Sequence, residues 1–384
     1  MDKELIYLDH AAATPMDERV LAVMHPYFSD DFYNPSSPYL PAVKVRQSYE
    51  NAKKNLANSI GAKPGELIMT AGATESINLA FSGISGHVIT PNIEHHSVLA
   101  CAKKCNHTII KADKRGFISA DIVKAAIRPD TQLISIALAN NEIGTIQPIR
   151  DIAEIIKKER NDRLMQGNKM PIYLHSDASQ GVGQLDINVA RLGVDMLTMN
   201  AAKIYGPKQV GLLWAASNIN LCPQIIGGGQ ERGLRSGTEN VAGTIGFAKA
   251  LELVSEHRKY ESDRLTKLRD YLQLVLTNAF PESVVSGYEK HRLAGHLHIS
   301  FPDIDGERLI FILENRGVLV ATGSACAANK GTRSHVLTSI GLSSNLADGS
   351  IRITLGHLSN EDNIKRAGII MTEEIKREYE RMNK

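Results

Sequence analysis

Short apolar runs alternate with helical patterns over most of this 384-residue chain. The apolar runs have the length of buried strands, and helical patterns such as 149–159 lie between them. Strands that are separated by helices form a mostly parallel sheet with helices on both faces. The alternation therefore predicts an α/β fold, with helices at 17–28 and 43–60 and strands at 67–70, 87–90, 108–111, 133–138, 172–176 and 195–199.

The pattern changes after a long, charged helical stretch that ends near residue 279. Residues 296–301 alternate between polar and apolar side chains, as a strand with one solvent-exposed face does. Shorter elements follow at 304–315, 318–321, 351–355 and after 360. We therefore expect a large domain and a smaller α+β domain, the large one at 15–255 and the small one built from 1–14 and 256–384.

Composition narrows the class of protein. The net charge is +2, so bulk electrostatics gives no support for a nucleic-acid or membrane partner. Four cysteines in so long a chain do not make a disulfide framework, which favours a reducing cytoplasm. The first residues lack the pattern of a secretion signal. No apolar stretch approaches the ~20 residues of a membrane-spanning helix. We expect a globular, cytoplasmic protein.

Polar residues follow several of the predicted strands, and ligands of α/β sheets bind at the carboxyl ends of strands. Residues 72–76 lie between a strand and a helix. Their backbone N–H groups, with the hydroxyls of Thr74 and Ser76, can bind a phosphate, although such hydroxyls also serve as ordinary helix caps. Asp177 ends another buried strand, where a carboxylate needs a partner.

Lys203 follows the predicted strand 195–199. Such a lysine is either a surface residue or a Schiff-base lysine with a depressed pKa. Pyridoxal phosphate requires a lysine for its aldehyde, a carboxylate for its ring nitrogen and an N–H cup for its phosphate. Lys203, Asp177 and residues 72–76 match these requirements, and His95 can cover the ring. The residues therefore favour pyridoxal 5'-phosphate as the cofactor.

Cys326 follows an apolar, strand-like run and precedes a polar stretch that contains Lys330 and Arg333. Nearby positive charge favours the thiolate, which is the nucleophilic form of cysteine. This interpretation places Cys326 on a mobile loop that solvent reaches. A lone cysteine is also commonly a small buried apolar residue, so the residues alone leave both interpretations open.

Taken together, the motifs resemble those of cysteine desulfurases, in the aminotransferase class V group of fold-type-I pyridoxal-phosphate enzymes. The matching segments occur in the family's order and are 7–15, 34–37, 72–76, 93–96, 140–144, 175–180, 203–208, 227–238, 323–326 and 350–352. The resemblance implies the fold of that class of transferases: a large domain with a mostly parallel, seven-stranded sheet and a smaller α+β domain.

The resemblance also implies residue roles. Lys203 forms the Schiff base and moves the substrate Cα proton, His95 stacks on the ring, and Cys326 accepts the sulfur. Asp177 is the implied partner of the ring nitrogen. The other implied cofactor ligands are Gln180 and Asn141 at the phenolic oxygen, Ala73 and Thr74 at the phosphate, and Thr238 from the neighbouring subunit of a homodimer. The implied clamp for the substrate carboxylate is Arg352 with Asn34.

The chain departs from the family pattern beside the lysine. The family has Ser-X-His at this point, whereas this chain has Asn200, Ala201 and Ala202. Asn200 can still donate a hydrogen bond to the phosphate, but Ala202 cannot. Because a charge-assisted hydrogen bond contributes about 1.5–3 kcal/mol, we expect weaker cofactor affinity or an altered cofactor geometry. A second departure, Gln209 in place of glycine, has no effect that the sequence predicts.

The implied activity converts L-cysteine to L-alanine and leaves the sulfur on Cys326 as a persulfide. The implied acceptor is a protein such as an iron–sulfur scaffold, or a thiolation pathway. Another class V enzyme, a selenocysteine lyase or an aminotransferase, is one alternative, and an aminotransferase does not need Cys326.

A degenerate sulfur-transfer scaffold subunit is the other alternative. Ala202 favours this alternative, whereas the retained Lys203 and Asp177 oppose it. The spacing of His291, His296 and His298 suggests no metal site.

Overall fold

A computed structural model describes residues 5–323 and 333–382 of the chain. The strands are β1 Ile6–Tyr7, β2 Leu67–Thr70, β3 His87–Pro91, β4 His107–Ile110, β5 Thr131–Ser135, β6 Tyr173–Asp177, β7 Met196–Asn200, β8 Gly211–Ala215, β9 Val284–Ser286, β10 His296–Ser300, β11 Val318–Leu319 and β12 Ser350–Thr354. The α-helices are Glu18–Met24, Pro26–Ser29, Leu40–Ile60, Ala73–Phe81, His96–Ala102, Ala120–Ala126, Ile149–Met165, Val189–Leu192, Val241–Glu256, Arg258–Ala279, Gly306–Asn315, His335–Ser339, Ser344–Asp348 and Glu361–Met382.

Seven strands form the large sheet in the order β2-β8-β7-β6-β5-β3-β4. The pairs from β7 through β6, β5 and β3 to β4 are parallel, and only β8 runs antiparallel to its neighbours. The predicted α/β fold class with a mostly parallel, seven-stranded sheet is confirmed. The pattern of apolar runs did not predict β8, whose five residues are all buried.

Helices cover this sheet because one side of each is apolar. Helix Leu40–Ile60 buries Val45, Tyr49 and Leu56 in the large core, and Gly61 ends the helix with a φ of 71°. That left-handed conformation favours glycine because it lacks a Cβ atom. The predicted helix 43–60 ends at the same residue, Ile60. The large core continues through the apolar residues of helix Val241–Glu256.

A second apolar core lies around the small sheet, whose strand order is β12-β10-β9. Leu297 and Ile299 of β10 point into this core, together with residues of helices Arg258–Ala279 and Glu361–Met382. Strand β1 pairs in parallel with β11, and Ile6 and Leu8 pack in the same core. The division into domains at 15–255 and at 1–14 with 256–384 stays a prediction.

The opposite face of β10 carries His296, His298 and Ser300, and all three are buried. The prediction of one solvent-exposed face is therefore wrong. The reason is that this polar face lies against the large sheet's connecting loops. A Cβ atom added to Gly144, for example, would lie 2.5 Å from the Cβ atom of His296. Over the described ranges, no helix is long and apolar enough to cross a bilayer.

Candidate active site

A cavity of about 520 Å³ opens at the carboxyl ends of the large sheet. It extends from these strand ends to β12 of the small sheet. Most residues that the sequence assigned to the cofactor and substrate lie around it, namely Ala73, Thr74, His95, Asn141, Asp177, Gln180, Asn200, Lys203 and Arg352. The cavity is the place where the parallel strands end and where α/β proteins bind their ligands.

Lys203 lies in a 3₁₀ turn, Ala201–Lys203, that follows β7 directly. Its Nζ atom donates to the carbonyl of Ala11 at 2.8 Å and to that of Ala12 at 2.5 Å. The Nε2 atom of Gln180 donates to the same Ala11 carbonyl at 3.1 Å. The N-terminal segment thus runs across the cavity and fixes the position of the lysine amine.

Asp177 is the last residue of β6 and borders the cavity. Its Oδ1 atom accepts a hydrogen bond from the backbone N–H of Ser179 at 2.9 Å. The Ser179 hydroxyl is buried, and no hydrogen-bond partner for it occurs in the described ranges. A carboxylate with only one backbone donor at a buried strand end is available to a cationic ring nitrogen.

His95 caps the helix His96–Ala102 from its N-terminal end. Its Nδ1 atom lies 2.7 Å from the Ser97 hydroxyl and accepts from the Ser97 N–H at 3.2 Å, which holds the imidazole at the cavity wall. Burial lowers the pKa of the His95 imidazole, and the charge of Asp177 partly offsets this. A neutral imidazole in this position suits stacking on a flat ring.

Ala73 and Thr74 are the first residues of helix Ala73–Phe81, so their N–H groups point to the cavity side of the sheet. The predicted contribution of Ser76 is wrong. Its side chain is fully buried, and its hydroxyl lies 2.8 Å from the Thr70 hydroxyl in the protein interior. Helical periodicity explains the difference, because a residue two positions after Thr74 points to another side of the helix.

Asn200, Ala202 and Gln209 form the cavity wall next to that helix start. The Asn200 Oδ1 atom accepts from the Ala202 N–H at 3.1 Å, which leaves its amide N–H groups as donors. Gln209 has a φ of 59°, a left-handed conformation that favours glycine. The wall therefore offers neutral amide groups and a methyl group where the family pattern has an imidazole.

Arg352 is 2% exposed, lies on β12 and lines the cavity from the small sheet. Its Nη2 atom donates to Asp9 Oδ1 at 2.7 Å, and its Nη1 atom donates to the carbonyl of Asn141 at 3.2 Å. The Nε atom is buried, and the described residues offer it no hydrogen-bond partner. The guanidinium is thus fixed in place by two of its five N–H groups and keeps donors for a carboxylate ligand.

Two predicted residues are not brought to the cavity. Asn34 is exposed and accepts from the Ser36 N–H at 2.9 Å within its own turn. Thr238 is also exposed and does not line the cavity of its own chain. Arg333, which was expected to favour the Cys326 thiolate, forms an exposed ion pair with Asp348 at 2.7 Å. Cys326 itself lies outside the described residues.

The structure adds two acidic residues that the sequence did not single out. Asp9 holds the guanidinium of Arg352, and Glu142 lies beside Asn141 with 1% of its surface exposed. Burial raises the pKa of Glu142, while the Ser334 hydrogen bond and the charge of Arg352 lower it. Both residues stood inside matching motifs, but an acidic residue in a turn has no periodicity that marks it as buried.

These groups fit pyridoxal phosphate. The cavity combines a lysine amine, a strand-end carboxylate, an imidazole and a helix N-terminus, and Ser179 adds a buried hydroxyl without a partner in the described ranges. A carbonyl-reactive amine, an acceptor for a ring N–H and donors for a phosphate are the functions that this cofactor requires.

Comparison with known proteins supports the same conclusion. A cysteine desulfurase IscS from Dictyoglomus turgidum is 40% identical over 94% of this chain and 92% of its own. Another from Archaeoglobus fulgidus, cysteine desulfurase IscS 1, is 39% identical over 94% of each chain. The structure of a NifS-like protein superposes with a TM-score of 0.88 at 32% identity and covers 97% of this chain and 99% of its own.

The structure titled SspA in complex with cysteine gives a TM-score of 0.78 at 35% identity, over 91% of this chain and 98% of its own. The family aminotransferase class-V matches residues 6–367. The resemblance that the motifs predicted is thereby confirmed, and the chain belongs to the aminotransferase class-V family.

Proposed function

We propose that this protein is a pyridoxal-phosphate-dependent cysteine desulfurase that converts L-cysteine to L-alanine and transfers the sulfur to Cys326. The observation that carries the proposal is the single cavity that gathers Lys203, Asp177, His95 and Arg352. The similar proteins named cysteine desulfurase, at 38–40% identity over most of the chain, support the same activity.

Pyridoxal phosphate, when bound, supplies an electron sink that weakens the bonds at the substrate Cα and Cβ atoms. The Lys203 amine removes the proton from the substrate Cα atom, since its position beside the carbonyls of Ala11 and Ala12 fixes it at the cavity wall. When the cofactor is bound, Asp177 would keep its ring nitrogen protonated, and His95 would hold its ring by stacking. The remaining cofactor ligands are Ala73, Thr74, Asn141, Gln180 and Asn200, with Thr238 from a second subunit.

Arg352 binds the carboxylate of L-cysteine. Because Asp9 and the Asn141 carbonyl already orient the guanidinium, little side-chain freedom is lost when the substrate binds. Only two of the five guanidinium N–H groups bind Asp9 and the Asn141 carbonyl, so others are left for the carboxylate. Asn34 joins this clamp only if its exposed turn moves toward the cavity.

The Cys326 thiolate then attacks the substrate sulfur. A new S–S bond forms, the Cβ–S bond breaks, and its electron pair stays with Cβ, which a proton completes to the methyl group of alanine. Cys326 retains the sulfur as a persulfide and passes it to an acceptor protein such as an iron–sulfur scaffold, or to thiolation. We also propose a cytoplasmic homodimer with the domain division at 15–255 and 1–14 with 256–384.

Two variants test the activity. The parent protein with bound cofactor should show an absorbance band at about 400 nm, and Lys203→Ala should lose this band. Cys326→Ser should keep the band but release neither alanine nor sulfide from L-cysteine. Sulfide production by Cys326→Ser at the parent rate would contradict the proposal and favour another class V chemistry.

The wall formed by Asn200 and Ala202 gives a separate prediction. Ala202→His should tighten cofactor binding by about 1.5–3 kcal/mol, because it adds a charge-assisted donor at the phosphate. The measurement is the dissociation constant of pyridoxal phosphate by absorbance titration. Ala202→Phe is the matched control, since it adds a ring without a donor, and equal affinities of the two variants would rule out the lost hydrogen bond as the cause.

A further inference from the structure

Gln209 lies at the phosphate side of the cavity, and its backbone has an unfavourable conformation. It lines the cavity together with Ala73, Thr74 and Ala202. Its φ of 59° is one that glycine adopts freely and other residues adopt rarely. We propose that the Gln209 side-chain amide donates a hydrogen bond to the cofactor phosphate and supplies the donor that Ala202 lacks. The inference rests on the proposed function, because it requires pyridoxal phosphate in this cavity.

Strand pairing determines the position of Gln209. Strand β8 begins two residues later, at Gly211. Gly211 pairs with Thr70, the last residue of β2, on one side and with Asn200, the last residue of β7, on the other. Helix Ala73–Phe81, whose first N–H groups are the predicted phosphate donors, follows β2, and the turn with the predicted Schiff-base lysine follows β7. Gln209 therefore lies between the two segments that are expected to surround the phosphate.

The charged side chains of this wall are already engaged. Glu75 accepts from the Arg235 Nε atom at 3.0 Å, and Lys208 donates from its Nζ atom to the carbonyl of Thr14 at 2.6 Å. Gln209 is exposed at the cavity, and its amide has no hydrogen-bond partner among the described residues. Both amide N–H groups are therefore left for a ligand with acceptor oxygens, and a phosphate is such a ligand.

The backbone conformation supports a role for the side chain. A left-handed backbone is unfavourable for a residue with a Cβ atom, and such residues are concentrated at functional sites. Glycine, which the family has at position 209, would remove this cost but offers no donor. The chain also has Ala202 where the family has a histidine. It has thus lost one phosphate donor and gained an amide on the same wall, so the second departure compensates for the first.

Three variants separate the amide from the backbone. Gln209→Met keeps the length of the side chain and the left-handed backbone but removes both N–H donors. Gln209→Gly removes the side chain and relieves the backbone. Asp303→Gly is the control, since Asp303 also has a left-handed backbone, with a φ of 64°, and does not line the cavity. The measurements are the dissociation constants of pyridoxal phosphate and of pyridoxal, which lacks the phosphate, by absorbance titration of the full-length apoprotein.

We expect both Gln209 variants to bind pyridoxal phosphate roughly tenfold to a hundredfold more weakly than the parent, because they lose a hydrogen bond to a charged group. Their affinity for pyridoxal should equal that of the parent, and Asp303→Gly should match the parent for both ligands. The urea midpoint of the Gln209→Gly apoprotein should equal or exceed that of the parent, because glycine suits this backbone.

The missing imidazole provides a second test. Adding Ala202→His to Gln209→Met should restore the affinity for pyridoxal phosphate, because the imidazole then replaces the lost amide donor. The gain should exceed the gain that Ala202→His gives the parent. Equal gains in the two backgrounds would mean that the two positions do not share one role, which contradicts the proposed compensation.

A Gln209→Met variant that binds pyridoxal phosphate as tightly as the parent would overturn the proposal. Equal losses of affinity for pyridoxal phosphate and pyridoxal would also overturn it, because Gln209 would then shape the cavity without binding the phosphate. If the parent binds the cofactor but releases no alanine from L-cysteine, the proposed activity fails, whereas the affinities still decide the role of Gln209. A parent that binds no pyridoxal phosphate would refute both.

Discussion

The two sheets of this protein differ in whether their buried histidines have hydrogen-bond partners. In the large sheet, His175 of β6 is fully buried between the hydroxyls of Ser135 and Thr198, each 2.9 Å from a ring nitrogen. In the small sheet, His298 of β10 is equally buried, yet neither ring nitrogen has a hydrogen-bond partner among the described residues. The same residue type thus occurs in a complete and in an incomplete hydrogen-bond network.

The contrast extends beyond these two histidines. His87 of the large sheet also lies between two threonine hydroxyls, at 2.9 and 2.8 Å. On the polar face of the small sheet, the side chains of His296, Ser286 and Ser300 have no partner in the described ranges. A buried polar group without a partner costs about 1–3 kcal/mol. The buried histidines of the large sheet are therefore paired with hydroxyls of neighbouring strands, whereas those of the small sheet are not paired within the described ranges.

The largest expected effect on stability comes from removing His175, whose hydrogen bonds with Ser135 and Thr198 are complete. His175→Leu should lower the free energy of unfolding by about 2–4 kcal/mol, because it leaves the buried hydroxyls of Ser135 and Thr198 without partners. Urea denaturation of the apoprotein measures the difference. The triple variant with Ser135→Ala and Thr198→Val is the control and should recover part of the loss, since it removes the unpaired hydroxyls.

A smaller effect, of opposite sign, is expected in the small sheet. Burial lowers the pKa of His298 to about 3 in the folded protein, whereas the pKa of this histidine in the unfolded chain is about 6.5. The folded protein therefore loses stability as the pH falls from 6.5 toward 3, by about 1.4 kcal/mol per pH unit for this group. His298→Leu should leave the free energy of unfolding at pH 7 unchanged or raise it by about 1 kcal/mol. It should also reduce the loss of stability at lower pH by about 1.4 kcal/mol per pH unit.

The measurement is the urea midpoint of parent and variant at several values between pH 7 and pH 4. His296 is the neighbouring group with the same behaviour, since burial also lowers its pKa to about 3, so part of the pH dependence should remain. A loss of stability in His298→Leu as large as in His175→Leu would contradict the difference between the histidines of the two sheets. It would mean that the small sheet's histidine has a partner.

The sequence predicted the parts of this molecule that periodicity and strand ends determine. The apolar runs located β2 to β7, and the polar residues after them, such as Asp177 and Lys203, do line one cavity. It missed β8, which follows the lysine motif closely and runs antiparallel. It also misjudged β10, because alternation shows which residues share a face but not what covers that face.

The sequence also could not predict the direction in which a side chain points or the residues that it contacts. Ser76 stood two residues after Thr74 in a promising motif, yet the helical turn directs it inward to Thr70. Asn34 and Thr238 came from the family resemblance and lie outside the cavity of this chain. The burial of Glu142 could not be identified in advance, because its hydrogen-bond partner Ser334 lies nearly two hundred residues away in the sequence.

The N-terminal segment has a consequence for the order in which the protein folds. Asp9 pairs with Arg352 across 343 positions, and the N–H of Ala11 donates to the Thr354 hydroxyl across the same separation. Lys203 meanwhile takes its position from the carbonyls of Ala11 and Ala12. During synthesis the large sheet can assemble early. Lys203, however, reaches its final position only after Arg352 and Thr354, which hold the N-terminal segment, have been synthesised. We therefore expect the nascent chain to bind its cofactor only after the ribosome has passed residue 354.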